Sequence, residues 1–574
     1  MTSSWSWTLW RYAESTTDAE YGNGKSYQEI LHELEQLKDQ VASKHGSLRK
    51  AANAYSRSRI RSLNILDLPD ELLRMIFENS RNQLVSSEDY FFIPDYCSWD
   101  GIKDIKNIRL TCRRFCNTSS HFLLRHIDVS MRPSSLAHLE EVARHPLLST
   151  GIQAVRVHLN YFSESLMTFI THFITLAIMH LEYSLGSSKS IFQEGCEEPP
   201  FSIPREKLGP AIDKAELILK EWSEFHDKLL ESEEDPDIFD EAVARSRAVA
   251  GLESVIKDGT FVQAIVTAMS KMPAARRLFV GDNFRDFENG CLKYVKPFVD
   301  AVEDPEGLAA SGTVQPLDWD TARSKQLEDL PKEIFLQLLM AVSNSDIPLT
   351  YLCVNLSSAA DISIPANQEQ LEQLAAGTEN LRVFDFRGLD RQEEFEPIVD
   401  FGQEQVASFC SLVSSCRGGK ALTRLNLDLS FTLNELAPQP PVSMGSLLVS
   451  RHCPNLKTLG LSYFPLHLKQ LKRFLEGLNG PVYMNLHHVM LLSGTWAEAL
   501  DLIRHKADRD SYVTGPRGAE CDDMSEEDTL AIFGKDDGIP SSVISFGKEG
   551  KATWYIRGYT KENPLRIRES TSVS

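Results

Sequence analysis

Apolar residues recur along this chain in two alternating patterns. One is a six-residue signature, apolar-x-x-apolar-x-apolar. It appears as Leu349-Leu352-Val354, Leu381-Phe384-Phe386, Leu422-Leu425-Leu427, Leu456-Leu459-Leu461 and Leu486-Val489-Leu491, with weaker copies at Ile152-Val155-Val157 and Ala275-Leu278-Val280. The five stronger copies begin at 349, 381, 422, 456 and 486, so the steps are 32, 41, 34 and 30 residues. The other pattern is a helical period, and it precedes the copies: Ile334-Phe335-Leu338-Leu339-Val342, Val406-Phe409-Leu412-Val413 and Leu468-Leu471-Phe474-Leu475-Leu478. Alternation predicts a strand with one buried face, and the i, i+3, i+4 spacing predicts an amphipathic helix. A strand-plus-helix unit of this size cannot bury its apolar side alone, so neighbours stack and share a core. The expected class is α+β with α/β repeats: a parallel sheet with strands about 4.8 Å apart and the helices outside it. A non-repetitive α/β domain whose strands share one apolar pattern is the rival reading.

Upstream of the repeats the pattern changes. Residues 25–58 place Ile30, Leu34, Leu37, Val41 and Leu48 at alternating four- and three-residue steps, broken at Lys44. This is a short heptad seam, read either as a self-association helix or as a helix laid back on the segment that follows. That segment is Leu66-Asp67-Leu68-Pro69-Asp70-Glu71-Leu72-Leu73-Arg74-Met75-Ile76-Phe77. Pro69 suits a first helical turn, where its missing N–H has no partner to lose. Asp67 is a candidate N-cap, and Asp70 and Glu71 place negative charge at the positive end of the dipole. Leu68, Leu72, Met75 and Ile76 fall on one apolar face. Farther on comes Ile108-Arg109-Leu110-Thr111-Cys112-Arg113-Arg114-Phe115, beyond a Ser-, Asp- and Tyr-rich stretch from Asn79 to Asp104.

These two stretches together resemble an F-box, the short helical module that docks on the Skp-family adaptor of a cullin ubiquitin ligase. The family joins its halves by a shorter connection, so Asn79 to Asp104 is read as an enlarged internal loop. The repeats resemble leucine-rich repeats in a long, irregular form, best seen in Cys453-Pro454-Asn455-Leu456-Lys457-Thr458-Leu459-Gly460-Leu461. The family's Asn or Cys, three residues after the last apolar position, is matched only by Asn160 and Asn283. The order of parts is similar to that of many fungal F-box proteins over residues 60 to 500. The resemblance implies a non-catalytic substrate receptor of an SCF-type ligase, with the adaptor and cullin at one end and a target protein at the other. By that resemblance Leu68, Pro69, Leu72, Ile76, Leu110 and Phe115 are the expected adaptor contacts. A scaffold acting outside any ligase, and a repeat-only binding module, are the alternatives. A receptor with a small molecule in the repeat pocket is a third.

Composition narrows this further. A chain of 574 residues exceeds one core. Net charge of −21 at pH 7 argues against non-specific binding to nucleic acid or to an anionic membrane. Ten cysteines occur with no CxxC pair, which fits reduced thiols in cytoplasm or nucleus. The apolar run Leu166 to Leu181 is short of a membrane span and holds His172 and His180. No Walker loop, GxSxG elbow, HExxH helix or kinase signature is present, so no catalytic residue, metal or cofactor is expected. A thiol–histidine pair from Cys410 or Cys416 with His452 or His487 is rejected, since buried repeat cysteines are ordinary. His487 and His488, adjacent on a strand, are expected to point to opposite faces.

The expected organisation is a flexible segment 1–24, an N-terminal helix 25–62, the F-box 63–128, and repeats 129–504 with a helical insertion 163–260. A mobile acidic loop 505–541, a hairpin cap 542–562 and a tail 563–574 complete the chain. Positions between the apolar residues of each repeat strand face the open side. They include four arginines and no lysine: Arg156, Arg277, Arg387 and Arg424, with Tyr351, Asp385, Asn426 and Asp428 beside them. Arg156, Arg277, Tyr351, Arg387, Arg424 and Asn426 are therefore the candidate target contacts, for an acidic or phosphorylated segment that guanidinium forks grip at two points.

Overall fold

The computed structural model describes residues 27–57, 64–81, 99–160, 205–231, 259–282, 332–356, 366–388, 403–429, 442–534 and 550–566, with a few single positions between them. The chain divides into two units, residues 1–76 and 77–574. Among the described residues no helix is long and apolar enough to cross a membrane.

In the first unit, α1 spans Tyr27–Arg57. Its seam residues Leu34, Leu37, Val41 and Leu48 are all exposed. A 3-10 turn, Ile65–Asp67, follows. Asp67 is the last residue of this turn. Its carboxylate accepts from the Asn64 N–H while Asn64 Oδ1 accepts from Leu66, so the pair closes the turn on itself. Helix α2, Asp70–Arg81, begins directly after Pro69 and crosses the boundary between the units.

The second unit opens with α3, Trp99–Thr111, and α4, Arg113–Ser119. The internal loop is therefore shorter than expected at both ends, and residues 82–98 lie outside the described residues. Cys112 breaks the two helices apart: it is extended at φ −159°, and its Sγ accepts from the Phe115 N–H at 3.5 Å. Thr118, Ser119 and Ser120 return their hydroxyls to carbonyls one turn earlier and tie off the end of α4.

Nine parallel strands then form one sheet: β1 His126–Ser130, β2 Ala154–His158, β3 Arg277–Gly281, β4 Tyr351–Leu356, β5 Val383–Gly388, β6 Arg424–Leu429, β7 Thr458–Ser462, β9 Tyr483–His487 and β11 Tyr512–Thr514. They pair in chain order without a register slip. The short strands β8, Pro465–His467, and β10, Met490–Ser493, pair separately. The copy expected at Leu486-Val489-Leu491 is thus misregistered. The sheet strand ends at His487, and Val489 to Leu491 lead into the small second sheet. β1 follows a complete copy, Leu124-Ile127-Val129, that the sequence reading passes over, and β11 carries only the last apolar position, Val513.

One apolar row crosses the whole sheet: Val129, Val157, Val280, Val354, Phe386, Leu427, Leu461, Leu486 and Val513. All nine are buried in a single core. Helices from the connections supply its other wall: α5 Pro133–Arg144, α7 Thr260–Lys271, α8 Lys332–Ser343, α9 Gln368–Gly377 and α10 Gln403–Cys416. Helix α6, Arg205–Glu231, belongs to the expected insertion, most of which lies outside the described residues. Arg417 is buried behind α10. It donates to the carbonyls of Leu448, within the short helix α11, Ser446–Val449, and of Arg451, just past it.

The end of the chain departs from expectation. Residues 508–534 are built into the fold, through β11 and helix α14, Glu526–Phe533. The Glu520 carboxylate accepts from the N–H groups of Trp496 and Ala497 and so caps α13, Trp496–Arg504. Glu520, in the stretch expected as a mobile acidic loop, is thus fixed as a helix cap. The expected hairpin is replaced, in its described part, by helix α15, Lys551–Ile556. Ala552, Tyr555 and Ile556 bury at helical spacing, and that overrides the β-branched and aromatic composition. Asp501 on α13 anchors this segment. It accepts from Tyr555 Oη at 2.6 Å, Asn563 Nδ2 at 2.8 Å and the Arg566 fork at 3.0 and 2.8 Å. Residues 1–24, 535–549 and 567–574, on which other expectations fall, lie outside the described residues.

Phe386 sits at the centre of the apolar row and packs edge-on against Phe409. Phe386→Ala is expected to cost about 3–5 kcal/mol, read as a lowered urea midpoint of the full chain.

Candidate functional site

Strand alternation sends a second set of side chains to the face opposite the helices. Register arranges them in rows. Arg277, Tyr351, Val383 and Arg424 follow one another across β3 to β6. The next row runs Asp128, Arg156, Phe279, Cys353, Asp385, Asn426, Gly460, Asn485 and Tyr512. A third holds Asn355, Arg387 and Asp428. All six candidate target contacts therefore lie on one face, on neighbouring strands, as the repeat pattern required.

Their chemistry differs from the expectation. The middle of this face is buried, with Ala154, Phe279, Tyr351 and Cys353 forming an apolar cluster of their own. Asp385 beside them has no exposed surface. Its carboxylate accepts from Tyr351 Oη at 2.7 Å and from Asn426 Nδ2, and Arg424 Nε stands 4.0 Å away. Burial pushes the Asp385 carboxyl above its ordinary range, against the pull of Arg424, Arg387 and the two hydrogen bonds. The same burial, reinforced by the Asp385 charge, drives the Tyr351 phenol well above 10. Tyr351 and Asn426 thus serve an internal acceptor.

A second carboxylate occupies the sheet's first strand. Asp128 accepts from His158 Nε2 at 3.0 Å and lies 3.4 Å from Arg156 and 3.8 Å from His126. Burial alone would raise it. The His158 hydrogen bond and the charges of Arg156, His158 and His126 prevail and bring it to about 2. Arg156 also lies over the Phe279 ring, 6.0 Å from its centroid. Three of the four arginines accordingly act on carboxylates of their own sheet, Arg156 on Asp128 and both Arg424 and Arg387 on Asp385. Arg277 and Arg387 are half-buried on the same face. Asp128 escaped the sequence reading because the copy Leu124-Ile127-Val129, which is complete, was passed over at the end of the segment read as the F-box. Asp385 was visible there as a face residue, and its role as the hub was not.

Among the described residues the cysteines form no disulfide, and those around the core of the sheet are buried. Cys410 donates to Met444 Sδ at 3.6 Å, and desolvation holds Cys416 up at about 12. Such thiols stay protonated, the opposite of a nucleophile's requirement. His487 and His488 are not on opposite faces. His488 takes a left-handed φ of 48° at the strand exit, which turns its ring back to 4.2 Å from that of His487 and stacks it on Tyr463 at 4.8 Å. Among the described residues no three His, Cys, Asp or Glu side chains converge as metal ligands would.

The expected adaptor residues fall as follows. Leu68 is half-buried and Pro69 exposed. On α2, Leu73 and Phe77 are the buried apolar residues, while Leu72, Met75 and Ile76 are 40–58% exposed. At 100° per residue the exposed three share one side of the helix, next to the buried pair. In the second unit Leu110 is 84% exposed. Phe115 is buried, its ring edge-on to Phe77 at 5.2 Å, so it supports the helices and is not available as a contact.

Comparison of the chain with models of known protein families gives no match, and comparison with curated proteins gives none.

Asp385 makes a signed prediction. Its folded pKa is raised, so the stability its protonated form supplies is complete below about 4 and is lost as pH rises through the folded value. The full chain is expected to lose stability relative to Asp385→Asn as pH climbs above that point, with the gap narrowing in acid. Urea midpoints of both proteins from pH 4 to 8 measure it. Parallel curves would show that the buried carboxylate does not titrate in this window.

Proposed function

We propose that this chain is a non-catalytic docking protein, a substrate receptor of an SCF-type ubiquitin ligase. The observation that carries the reading is the exposed strip Leu72, Met75 and Ile76 on α2. A twelve-residue helix that buries Leu73 and Phe77 and still presents three large apolar side chains has more apolar surface than its own packing uses. Helix-in-groove recognition uses a strip of this kind. The Leu-Pro-Asp-Glu-Leu-Leu start and the Leu-Thr-Cys-Arg-Arg-Phe second half support an F-box over other docking helices. The unbroken strand order, with helices behind one face, supports reading 129–504 as an irregular leucine-rich-repeat solenoid. On this reading the face with Arg277 and Arg387 meets the target. The receptor performs no bond chemistry and acts by raising the local concentration of target lysines near the ligase. It works in cytoplasm or nucleus, where the adaptor is found.

Changing Leu72 and Ile76 together to Asp is expected to weaken adaptor capture by roughly 30-fold or more, the effect of losing a hot-spot contact of about 2 kcal/mol. The urea midpoint stays close to that of the unmodified chain, because both residues are exposed. Capture of adaptor and cullin supports the ligase reading. Adaptor without cullin moves the chain to a scaffold role, and no adaptor at all ends the F-box assignment. Alanine at Arg277, Arg387 and Arg424 together is expected to abolish capture of an acidic or phosphorylated target while leaving the adaptor bound. Unchanged target capture would remove these arginines from the recognition face.

A further inference from the structure

We infer that the entrance edge of the sheet binds an acidic peptide in the polyproline II conformation, with a carboxylate at every third residue. This edge is a different row from the open face described above, and its binding holds whether or not the chain docks an adaptor. The residue just before each strand forms the row: Gln153, Arg276, Thr350, Arg382, Thr423 and Lys457, ahead of β2 to β7. Each N–H donates to the carbonyl of the residue before it in the row, so the row is as regular as the sheet. Cations and uncharged residues alternate along it, and Arg125 ahead of β1 continues the alternation. No acidic residue interrupts it, in a chain whose net charge is −21.

Arg276, Arg382 and Lys457 are exposed, and among the described residues none of the three makes an ion pair or a side-chain hydrogen bond. An ordinary duty for cations here is to serve the C-termini of the helices that precede the strands. Other residues fill it. Arg451 donates to the carbonyls of Ala375 and Ser415, in the last turns of α9 and α10. Lys506 donates to that of Leu478, just past α12, Leu468–Glu476. Thr350 and Thr423 donate their hydroxyls to the carbonyls of Arg276 and Arg382 at 3.3 and 3.0 Å, so the cations are what the row offers outward. A cleft of about 510 Å³ opens at Arg276, with Gln153, Arg277 and Thr350 in its wall and Pro273 and Ala274 beside them.

Spacing selects the occupant. Strands about 4.8 Å apart place cations on alternate strands about 9.6 Å apart, and about 19 Å separate Arg276 from Lys457. A polyproline II chain has three residues per turn and rises about 3.1 Å per residue, so every third side chain returns to one side after about 9.3 Å. Glutamates at that period meet Arg276, Arg382 and Lys457 in turn, and each guanidinium can grip its carboxylate at two points. A β-strand peptide would turn every second carboxylate of that period away from the row. Nucleic acid fits less well, because the row holds no aromatic ring for bases to stack on. A chain of this net charge also repels a phosphate at every nucleotide more than a carboxylate at every third residue.

Fluorescence anisotropy of a labelled peptide of four Glu-Pro-Ala repeats, titrated with the full chain, tests the proposal. Saturable binding that weakens as salt rises is expected. Arg276→Ala with Arg382→Ala is expected to weaken it about tenfold, the loss of two exposed charge pairs. The urea midpoint stays close to that of the unmodified chain, because neither side chain is buried. Arg387→Ala, on the open face, is expected to leave the peptide bound as before. A peptide of the same composition with its glutamates in one block is expected to bind about fivefold more weakly, since it reaches one cation at a time. No saturable binding, or binding that the double variant does not weaken, overturns the proposal. Equal binding of the two peptides overturns the three-residue period and the conformation with it. A single-stranded oligonucleotide that binds more tightly through the same arginines overturns the occupant.

Discussion

Nine strands in one sheet must all agree on which residues face the helices. Side chains alternate at every residue, so a slip of one position on any strand would turn its valines and leucines out and its arginines and aspartates in. The row from Val129 to Val513 holds because no strand slips. Each connection can then vary in length at little cost, since lengthening a closed loop adds free energy only logarithmically. The same row explains the long uneven insertions between β2 and β4 beside the short link between β7 and β9.

Register on the core face fixes composition on the other. Tyr351, Asp385 and Asn426 meet because the valines, phenylalanines and leucines beside them are locked. The result is a buried carboxylate held by a phenol and an amide, in a face that otherwise carries arginines. Asp385 and Asp128 sit with Arg424 and Arg156 as internal counter-charges. The consequence for recognition is a narrower cationic surface than the arginine count suggests, because charge already neutralised within the sheet gives little to an incoming anion.

The two helices near the N-terminus follow the opposite logic. In the sheet, apolar residues are consumed by packing. On α1 and α2 large apolar side chains are exposed in stripes, and their spacing, helical in both, decides what shape fits them. A short strip on a twelve-residue helix fits a groove.

Much of this was legible from the residues alone. Period-two alternation behind helical segments located β2 to β7 and the face of each candidate residue, because burial on one side of a strand leaves a mark at every second position. The helix over residues 25–58 and α2 were legible from apolar residues at helical spacing. What alternation does not record is cover. Leu73 and Phe77 bury while Leu72 and Ile76 do not, and Phe115 disappears behind Phe77, although all are apolar at helical spacing. Register at Leu486 was misjudged because Val489 and Leu491 imitate the pattern one turn late, beyond a left-handed His488 that no pattern announces. The C-terminal residues form a helix and not a hairpin because Ala552, Tyr555 and Ile556 find cover at helical spacing, and Asp501, 54 residues before Tyr555, accepts from its phenol. Periodicity is a local property of the chain and is written in the sequence. Which apolar face meets which, and which carboxylate meets which arginine, depends on segments far apart in the chain, and only the packed molecule brings them together.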